Sequence, residues 1–365
     1  MKLVVTGGGT GGHVFPALEV AKASRDSGDD VRYFGSFRGQ ERAACEKAEM
    51  PFVAFASEPV YSLTKIKGIK SLMRLLKSSG QVMRELAEVR PDIVFATGGY
   101  AAAPVLNAAR RMKLPIVIHE QNTVPGRTNR IMSRSAKAVC TVFHQTAQHF
   151  PHVKTVRTGM PVRDVMRQSA QGTLMLDSDP TNSAPMVLVM GGSQGSAALN
   201  DIALTTAVRM ATTELQWFHL TGLSHFESTM ESLNKMGIKS NYVIKAYLEA
   251  EQMAAALFQS TVAVCRSGAG TLAELAAFRK PSILVPYPQA FGQHQLYNAQ
   301  EFAEIGAAEI LTQDEIQSVD LEGRILAWLN DKDRVAEAQK ALAEWDVPDA
   351  VPKILSVVRE SASRN

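Results

Sequence analysis

Short runs of apolar residues recur along the first half of the chain at residues 3–5, 31–34, 93–96, 116–118 and 138–142. They return in the second half at 186–190, 217–220, 242–244, 262–264 and 282–285. Between them lie longer segments whose apolar positions repeat with helical spacing. Strands alternating with helices in this way predict right-handed crossovers and mostly parallel sheets. The fold class is therefore α/β, in two doubly wound, Rossmann-like domains. A polar stretch from Gln168 to Pro185, containing Gly172, Pro180 and Asn182, reads as a surface loop near the junction. The boundary is placed slightly earlier, which gives domains 1–162 and 163–345. After Trp345 two prolines precede an apolar-periodic helix within 346–365, expected to return to the first domain.

Two of the strand-to-helix junctions are built from glycine: Gly7-Gly8-Gly9-Thr10-Gly11-Gly12-His13 and Gly191-Gly192-Ser193-Gln194-Gly195-Ser196. Such a turn leaves backbone N–H groups uncovered at a helix N-terminus, where the macrodipole favours anions, so each is a candidate phosphate site. Gly7, Gly9 and Gly12 also fit the dinucleotide fingerprint, which calls for an acidic residue about 20 positions on to hold a ribose. Asp29 and Asp30 are loosely placed for that role, but both fall in an expected turn before Val31. The fingerprint does not call for His13 either. A helix N-terminus disfavours the imidazolium cation, which suits His13 to act as a general base on a hydroxyl. The alternative, that His13 caps the helix or lines a crevice, stands beside it.

Further polar clusters follow other strands. Thr97-Gly98-Gly99-Tyr100 opens onto a helix, and His119-Glu120-Gln121-Asn122 comes directly after the run at 116–118. His119-Glu120 is not read as a metal pair, because an HExxH motif would need histidine where Thr123 stands. In the second half, Arg266-Ser267-Gly268-Ala269-Gly270-Thr271 opens a helix bearing Glu274, whose carboxylate can accept both hydroxyls of a ribose. Gln293, His294, Gln295 and Asn298 then gather at a helix entry, where neutral amides suit the reading of sugar hydroxyls. Polar groups collected where parallel strands end occupy the crevice in which such folds bind ligands.

Composition narrows the partners. A net charge of +3 over 365 residues is too small to imply nucleic acid. Cys45, Cys140 and Cys265 lack CxxC spacing and read as reduced core thiols. No signal peptide is expected, and no window reaches the ~20 apolar residues of a spanning helix. One local cluster stands out: residues 65–90 carry seven basic side chains against two acidic, interleaved with Ile69, Leu72, Met73, Leu75, Leu76 and Met83. This suits a helix lying on an anionic bilayer, but the pattern alone favours an ordinary helix with its apolar face on the core. Asp177-Ser178-Asp179 matches a metal-binding DxD only superficially and is read as a solvated loop.

Taken as an ordered set, Gly8–His13, Gly98–Tyr100, His119–Asn122, Pro161-Val162-Arg163, Gly191–Gly195 and Arg266–Ala269 with Glu274 resemble the MurG family of peptidoglycan N-acetylglucosaminyltransferases, to about Ala299. The resemblance implies a GT-B fold, two such domains facing a cleft, and inverting transfer of N-acetylglucosamine from UDP-N-acetylglucosamine to the C4 hydroxyl of undecaprenyl-linked lipid I. The alternative is a GT-B enzyme acting on another lipid or a natural product. Donor contacts carried over by the resemblance are Thr10, Gly11, Gly12, Asn122, Arg163, Ser193, Leu248, Glu274 and Gln295. Gly9, Thr10, His13 and Tyr100 would face the acceptor, with His13 as the catalytic base. No cofactor or metal is required on this reading. The segment 65–90 would dock on the cytoplasmic face of a bacterial inner membrane, with other cell-wall synthesis proteins as further partners. Two departures from the family pattern bear on the donor pocket: Met160 replaces the usual Asn before Pro-Val-Arg, and the acidic link at 249–252 is longer.

Overall fold

The computed structural model describes residues 1–37, 39–59, 66–172, 184–192, 194–211, 213–237, 241–316 and 320–363. The chain divides into two compact units, Met1–Val162 with Asp349–Asn365, and Arg163–Pro348.

In the first unit the strands are β1 (Lys2–Gly7), β2 (Asp30–Ser36), β3 (Phe52–Phe55), β4 (Ile93–Gly98), β5 (Ile116–Glu120), β6 (Ala138–Thr141) and β7 (Lys154–Arg157). They form one sheet in the order β3-β2-β1-β4-β5-β6-β7, paired parallel throughout. The crossovers are α1 (Gly11–Asp26), α2 (Glu41–Lys47), α3 (Ile66–Val89), α4 (Gly99–Arg111) and α5 (Arg127–Met132). Successive strand residues face opposite sides of a sheet. Leu3 and Val5 accordingly join a core with Val20, Phe95 and Val117, while Val4 joins the other face with Phe34, Val94 and Ile118. Both faces are covered, which is why these strands read as unbroken apolar runs.

The second unit begins with α6 (Asp164–Ala170) and continues through β8 (Met186–Met190), α7 (Ala197–Arg209), β9 (Gln216–Leu220), α8 (Phe226–Met236) and β10 (Tyr242–Lys245). It then runs through α9 (Ala250–Gln259), β11 (Val262–Cys265), α10 (Ala269–Ala277), β12 (Ser282–Leu284), α11 (His294–Glu304), β13 (Ala308–Ile310), α12 (Leu321–Asn330) and α13 (Lys332–Trp345). Its sheet order is β10-β9-β8-β11-β12-β13, again parallel. Val187, Val189, Trp217, Val264 and Ile283 pack one face against Leu199, Leu204 and Trp328.

Three strands lie outside the ten apolar runs named above: β3, β7 and β13. All three are short and partly exposed at a sheet edge; charged residues interrupt β7 and β13, which pairing with a neighbour defines, while β3 is a run of only four apolar residues. The stretch read as irregular from Gln168 begins inside α6, whose buried residues are Met166 and Ser169, too few to display a helical period. Residues 173–183, with the Asp177-Ser178-Asp179 tripeptide, lie outside the described residues. The second unit runs on to Pro348 because residues after α13 are tied down within it. Trp345 donates its indole N–H to Glu301 at 2.7 Å and packs edge-on against Phe302, and Asp346 forms a bidentate pair with Arg167.

The last helix, α14 (Ala350–Ala362), belongs to the first unit. Ile354, Leu355, Val357 and Val358 join the core that contains α1 and β1, and Arg359 reaches Asp29 at 3.2 Å. Each of these buried side chains contributes about 2 kcal/mol by area. Ile354→Ala should lower the unfolding free energy of this unit by about 2–4 kcal/mol, measured by urea titration followed by circular dichroism. An unchanged midpoint would place α14 outside the cooperative core.

Candidate functional site

In each sheet the strand order reverses beside the first strand of its unit. The crevice where crossovers leave in opposite directions falls between β1 and β4 in one unit and between β8 and β11 in the other. Both glycine turns lie at these points.

In the first unit the turn after β1 is pressed against the turn after β4. Gly8 donates its N–H to the Gly98 carbonyl at 3.3 Å. Gly99 has φ +79°, and a Cβ there would collide with the Gly8 carbonyl oxygen, so no other residue fits. Tyr100 lays its ring over Gly9, where a Cβ would stand 2.6 Å from the ring edge. Burial, with the Glu41 carboxylate nearby, raises the Tyr100 phenol above its ordinary range. Thr10 and Gly12 are exposed at the start of α1, and the Thr10 carbonyl accepts the His13 N–H at 3.1 Å.

His13 is oriented by Thr97 and Gln121. The Thr97 hydroxyl donates to the His13 carbonyl at 2.7 Å, while His13 Nδ1 lies 2.9 Å from the Thr97 carbonyl and 3.0 Å from Gln121 Oε1. The Gln121 amide is set the right way round because its Nε2 donates to the carbonyls of Thr97 and His119, at 3.0 and 3.1 Å. Both neighbours of Nδ1 are thus acceptors. The ring proton must be on Nδ1, and Nε2 of the neutral ring carries the lone pair.

His119 continues the chain of bonds inward. It donates from Nε2 to the Gly159 carbonyl at 2.9 Å, and its Nδ1 faces Gln121 Nε2 at 3.2 Å. Complete burial pushes its imidazole down to about 4. Glu120 accepts from the N–H groups of Asn122 and Gly126 at 3.0 and 3.2 Å and from Asn129 Nδ2 at 2.8 Å. Burial raises its carboxyl against these bonds, which favour ionisation. His119 and Glu120 thereby brace the loop that bears Asn122, and among the described residues no group of three or more His, Cys, Asp or Glu is placed to hold a metal.

In the second unit, Ser193 lies outside the described residues. The turn around it is as tight as the first. A Cβ on Gly191 would stand 2.6 Å from the Ser196 nitrogen, and Gly195, at φ +78°, abuts Gly222. Ser196 caps α7 by accepting from Leu199 N–H. Arg163 donates from Nη2 to Glu274 Oε1 at 3.2 Å, so these two expected donor contacts touch each other. Burial raises the Glu274 carboxyl and the Arg163 charge opposes this. Gln295 Oε1 accepts from Tyr287 N–H at 2.9 Å, and the Gln295 carbonyl accepts from Ser267 Oγ at 2.7 Å. Leu248 is buried just after β10, and the longer acidic link that follows is the start of α9, where Glu249 and Gln252 form a capping box.

Gly9, Thr10, Gly11, Gly12, His13, Tyr100 and Asn122 are thus carried by the ends of β1, β4 and β5, and Arg163, Leu248, Glu274 and Gln295 belong to the second unit. Three residues at these turns had no role assigned from the sequence. Gln121 orients His13. Glu41 is fully buried beneath Gly8, with Oε1 accepting from Ser36 N–H at 2.9 Å and no partner for Oε2 among the described residues. Ser196 carried the one available sequence signal, a hydroxyl directly before an apolar-periodic helix.

Two parallel sheets, each ending in a glycine turn at a helix N-terminus, with the half-buried Glu274 carboxylate on the helix after β11, define an enzyme of the GT-B type. The glycosyltransferase family 28 N-terminal domain matches residues 3–141, and the family's C-terminal domain matches residues 186–354. The UDP-N-acetylglucosamine–N-acetylmuramyl-(pentapeptide) pyrophosphoryl-undecaprenol N-acetylglucosamine transferase of Desulforamulus reducens is 34% identical over 100% of both chains. Transferase 2 of the same name from Bacillus thuringiensis (strain Al Hakam) is 33% identical over 99% of both. Among solved structures, MurG of Acinetobacter baumannii matches with a TM-score of 0.77 at 29% identity, covering 98% of this chain and 99% of that one. The MnaA–UDP structure from S. aureus shares the fold at 15% identity and a TM-score of 0.69, over 98% of this chain and 96% of that one. The chain belongs to glycosyltransferase family 28, among the MurG N-acetylglucosamine transferases.

The His119 environment makes stability depend on pH. Its folded value of about 4 lies below the ordinary 6.5, so on acidification the unfolded chain takes up the proton first. Stability contributed by the neutral ring is complete above pH 6.5 and is lost as the pH falls toward 4. His119→Gln should flatten the fall in melting temperature across that interval, and a profile as steep as the parent's would exclude the shift.

Proposed function

We propose that this chain transfers N-acetylglucosamine from UDP-N-acetylglucosamine to the C4 hydroxyl of the N-acetylmuramyl group of lipid I, forming lipid II with inversion at the anomeric carbon. The observation that carries the reading is the committed tautomer of His13. With its Nδ1 proton held by the Thr97 carbonyl and Gln121 Oε1, Nε2 is the atom able to take the acceptor's hydroxyl proton. As the new bond forms at C1, the bond from C1 to the β-phosphate oxygen breaks, and UDP leaves with the electron pair. Thr10, Gly11 and Gly12 offer backbone at a helix N-terminus in the first unit, and Tyr100 with Gly9 forms the wall beside it. The second unit holds the donor: Glu274 accepts the ribose hydroxyls, Leu248 meets the uracil, Gln295 reads the sugar, and Arg163 with the turn at Ser193 faces the diphosphate. Backbone N–H groups, the α7 dipole and Arg163 stabilise the departing UDP, so this reading needs no metal.

The acceptor's lipid chain places the work at a membrane surface, on this reading the cytoplasmic face of the inner membrane. No helix among the described residues is long and apolar enough to cross a bilayer. The strongly amphipathic α3 presents Met73 and Leu76 to solvent along with Lys70 and Lys77, a face suited to resting on anionic lipid. Lys65, at the start of the basic segment, lies outside the described residues.

His13→Ala should reduce turnover of a lipid I analogue by about 10²–10⁴-fold while UDP-N-acetylglucosamine still binds, with UDP release as the readout. Undiminished turnover would remove His13 from the mechanism. Glu274→Ala should raise the donor KM by roughly tenfold with the acceptor KM unchanged, the scale of one hydrogen-bonded charge.

A further inference from the structure

Arg266 is nearly inaccessible to solvent and follows β11, directly beside the second glycine turn, with its backbone N–H on the Met190 carbonyl at 3.2 Å. Its guanidinium has an unusual set of partners. Nη1 donates to the carbonyls of Val285 and Pro286, both at 3.1 Å, and Nη2 donates to Ser196 Oγ and Gln313 Oε1, both at 2.7 Å. The Tyr287 ring lies 5.5 Å from its centre. Every partner is neutral. Arg163, Arg167, Arg324 and Arg334 in the same unit each have a carboxylate, whereas Arg266 has none among the described residues.

A buried cation without an anion is costly, and here it stands behind another positive feature, the N-terminus of α7. The contact between them is Ser196. Its hydroxyl oxygen already accepts from Arg266 Nη2 and from Leu199 N–H, at 2.7 and 3.4 Å, which uses both lone pairs. The remaining function of that hydroxyl is to donate its proton. Guanidinium, capped helix end and polarised hydroxyl are therefore arranged for an anion at the glycine turn.

We infer that Arg266 is a positioning residue for the donor diphosphate: it fixes Ser196 as a hydrogen-bond donor to the phosphate oxygens, and its unpaired charge favours the departing UDP. This rests on the donor reading given above, and it adds two residues to which no donor role has been assigned. The sugar and uracil ends of the donor do not depend on the pair, so the effect should follow phosphate charge.

The test is calorimetric titration of the full chain with UDP and, separately, with uridine, which lacks the phosphates. Arg266→Gln should weaken UDP by about tenfold or more and leave uridine within about twofold. Ser196→Ala should weaken UDP by roughly threefold to tenfold, and adding it to Arg266→Gln should cost little more, because the hydroxyl is aimed by the guanidinium. Arg266→Lys, which keeps the charge and loses the fork, should fall between parent and Arg266→Gln; with Ser196→Ala it carries the test if Arg266→Gln does not fold. With the lipid I analogue, kcat should fall while the acceptor KM holds. Equal weakening of UDP and uridine would reduce Arg266 to a structural residue, and unchanged UDP affinity would overturn the inference outright. If the parent chain binds uridine no more weakly than UDP, the donor site itself has been misassigned.

Discussion

The structure depends on backbone meeting backbone where parallel strands end. At the β1/β4 crevice Gly99 lies so close to the Gly8 carbonyl that any side chain would fill the gap, and at the β8 turn Gly191 lies as close to the Ser196 nitrogen. The first contact draws two successive turns together, the second closes a single turn, and each lies at the start of a helix. A side chain at Gly99 or Gly191 would force these turns apart. The apolar strands beneath act as a rigid floor, buried on both faces and unable to yield.

On that floor the two units solve different electrostatic problems. The first holds neutral groups in chosen protonation states. A chain of hydrogen bonds from Gly159 through His119 and Gln121 to His13 leaves one tautomer at each ring. Burial keeps His119 neutral well below physiological pH, so the chain does not switch in ordinary conditions. The second unit holds charge in place. Arg163 and Glu274 neutralise each other as an ion pair, while Arg266 is surrounded by carbonyls, a hydroxyl and an amide. On the proposed function, general base chemistry calls for the first arrangement and stabilisation of a leaving diphosphate for the second.

The amino-acid sequence by itself determined the nine interior strands, since a strand covered on both faces must be written as an apolar run, and the edge strand β10 through its short Tyr-Val-Ile run. It also determined the position of both turns, since glycine at those places has no substitute. The edge strands β7 and β13 were hidden because charged residues break up their runs and pairing supplies what their composition lacks, while β3 is an apolar run of only four residues. Tertiary structure alone decided which atoms meet. Nothing in the order of residues says that Gln121 turns its oxygen toward His13, that Glu41 lies beneath Gly8, or that Arg266 reaches Ser196 across 70 positions. Periodicity records which face of an element is buried, a local property of the chain. Hydrogen-bond direction and charge pairing depend on groups brought together from distant segments, and they exist only once the sheets have closed that distance.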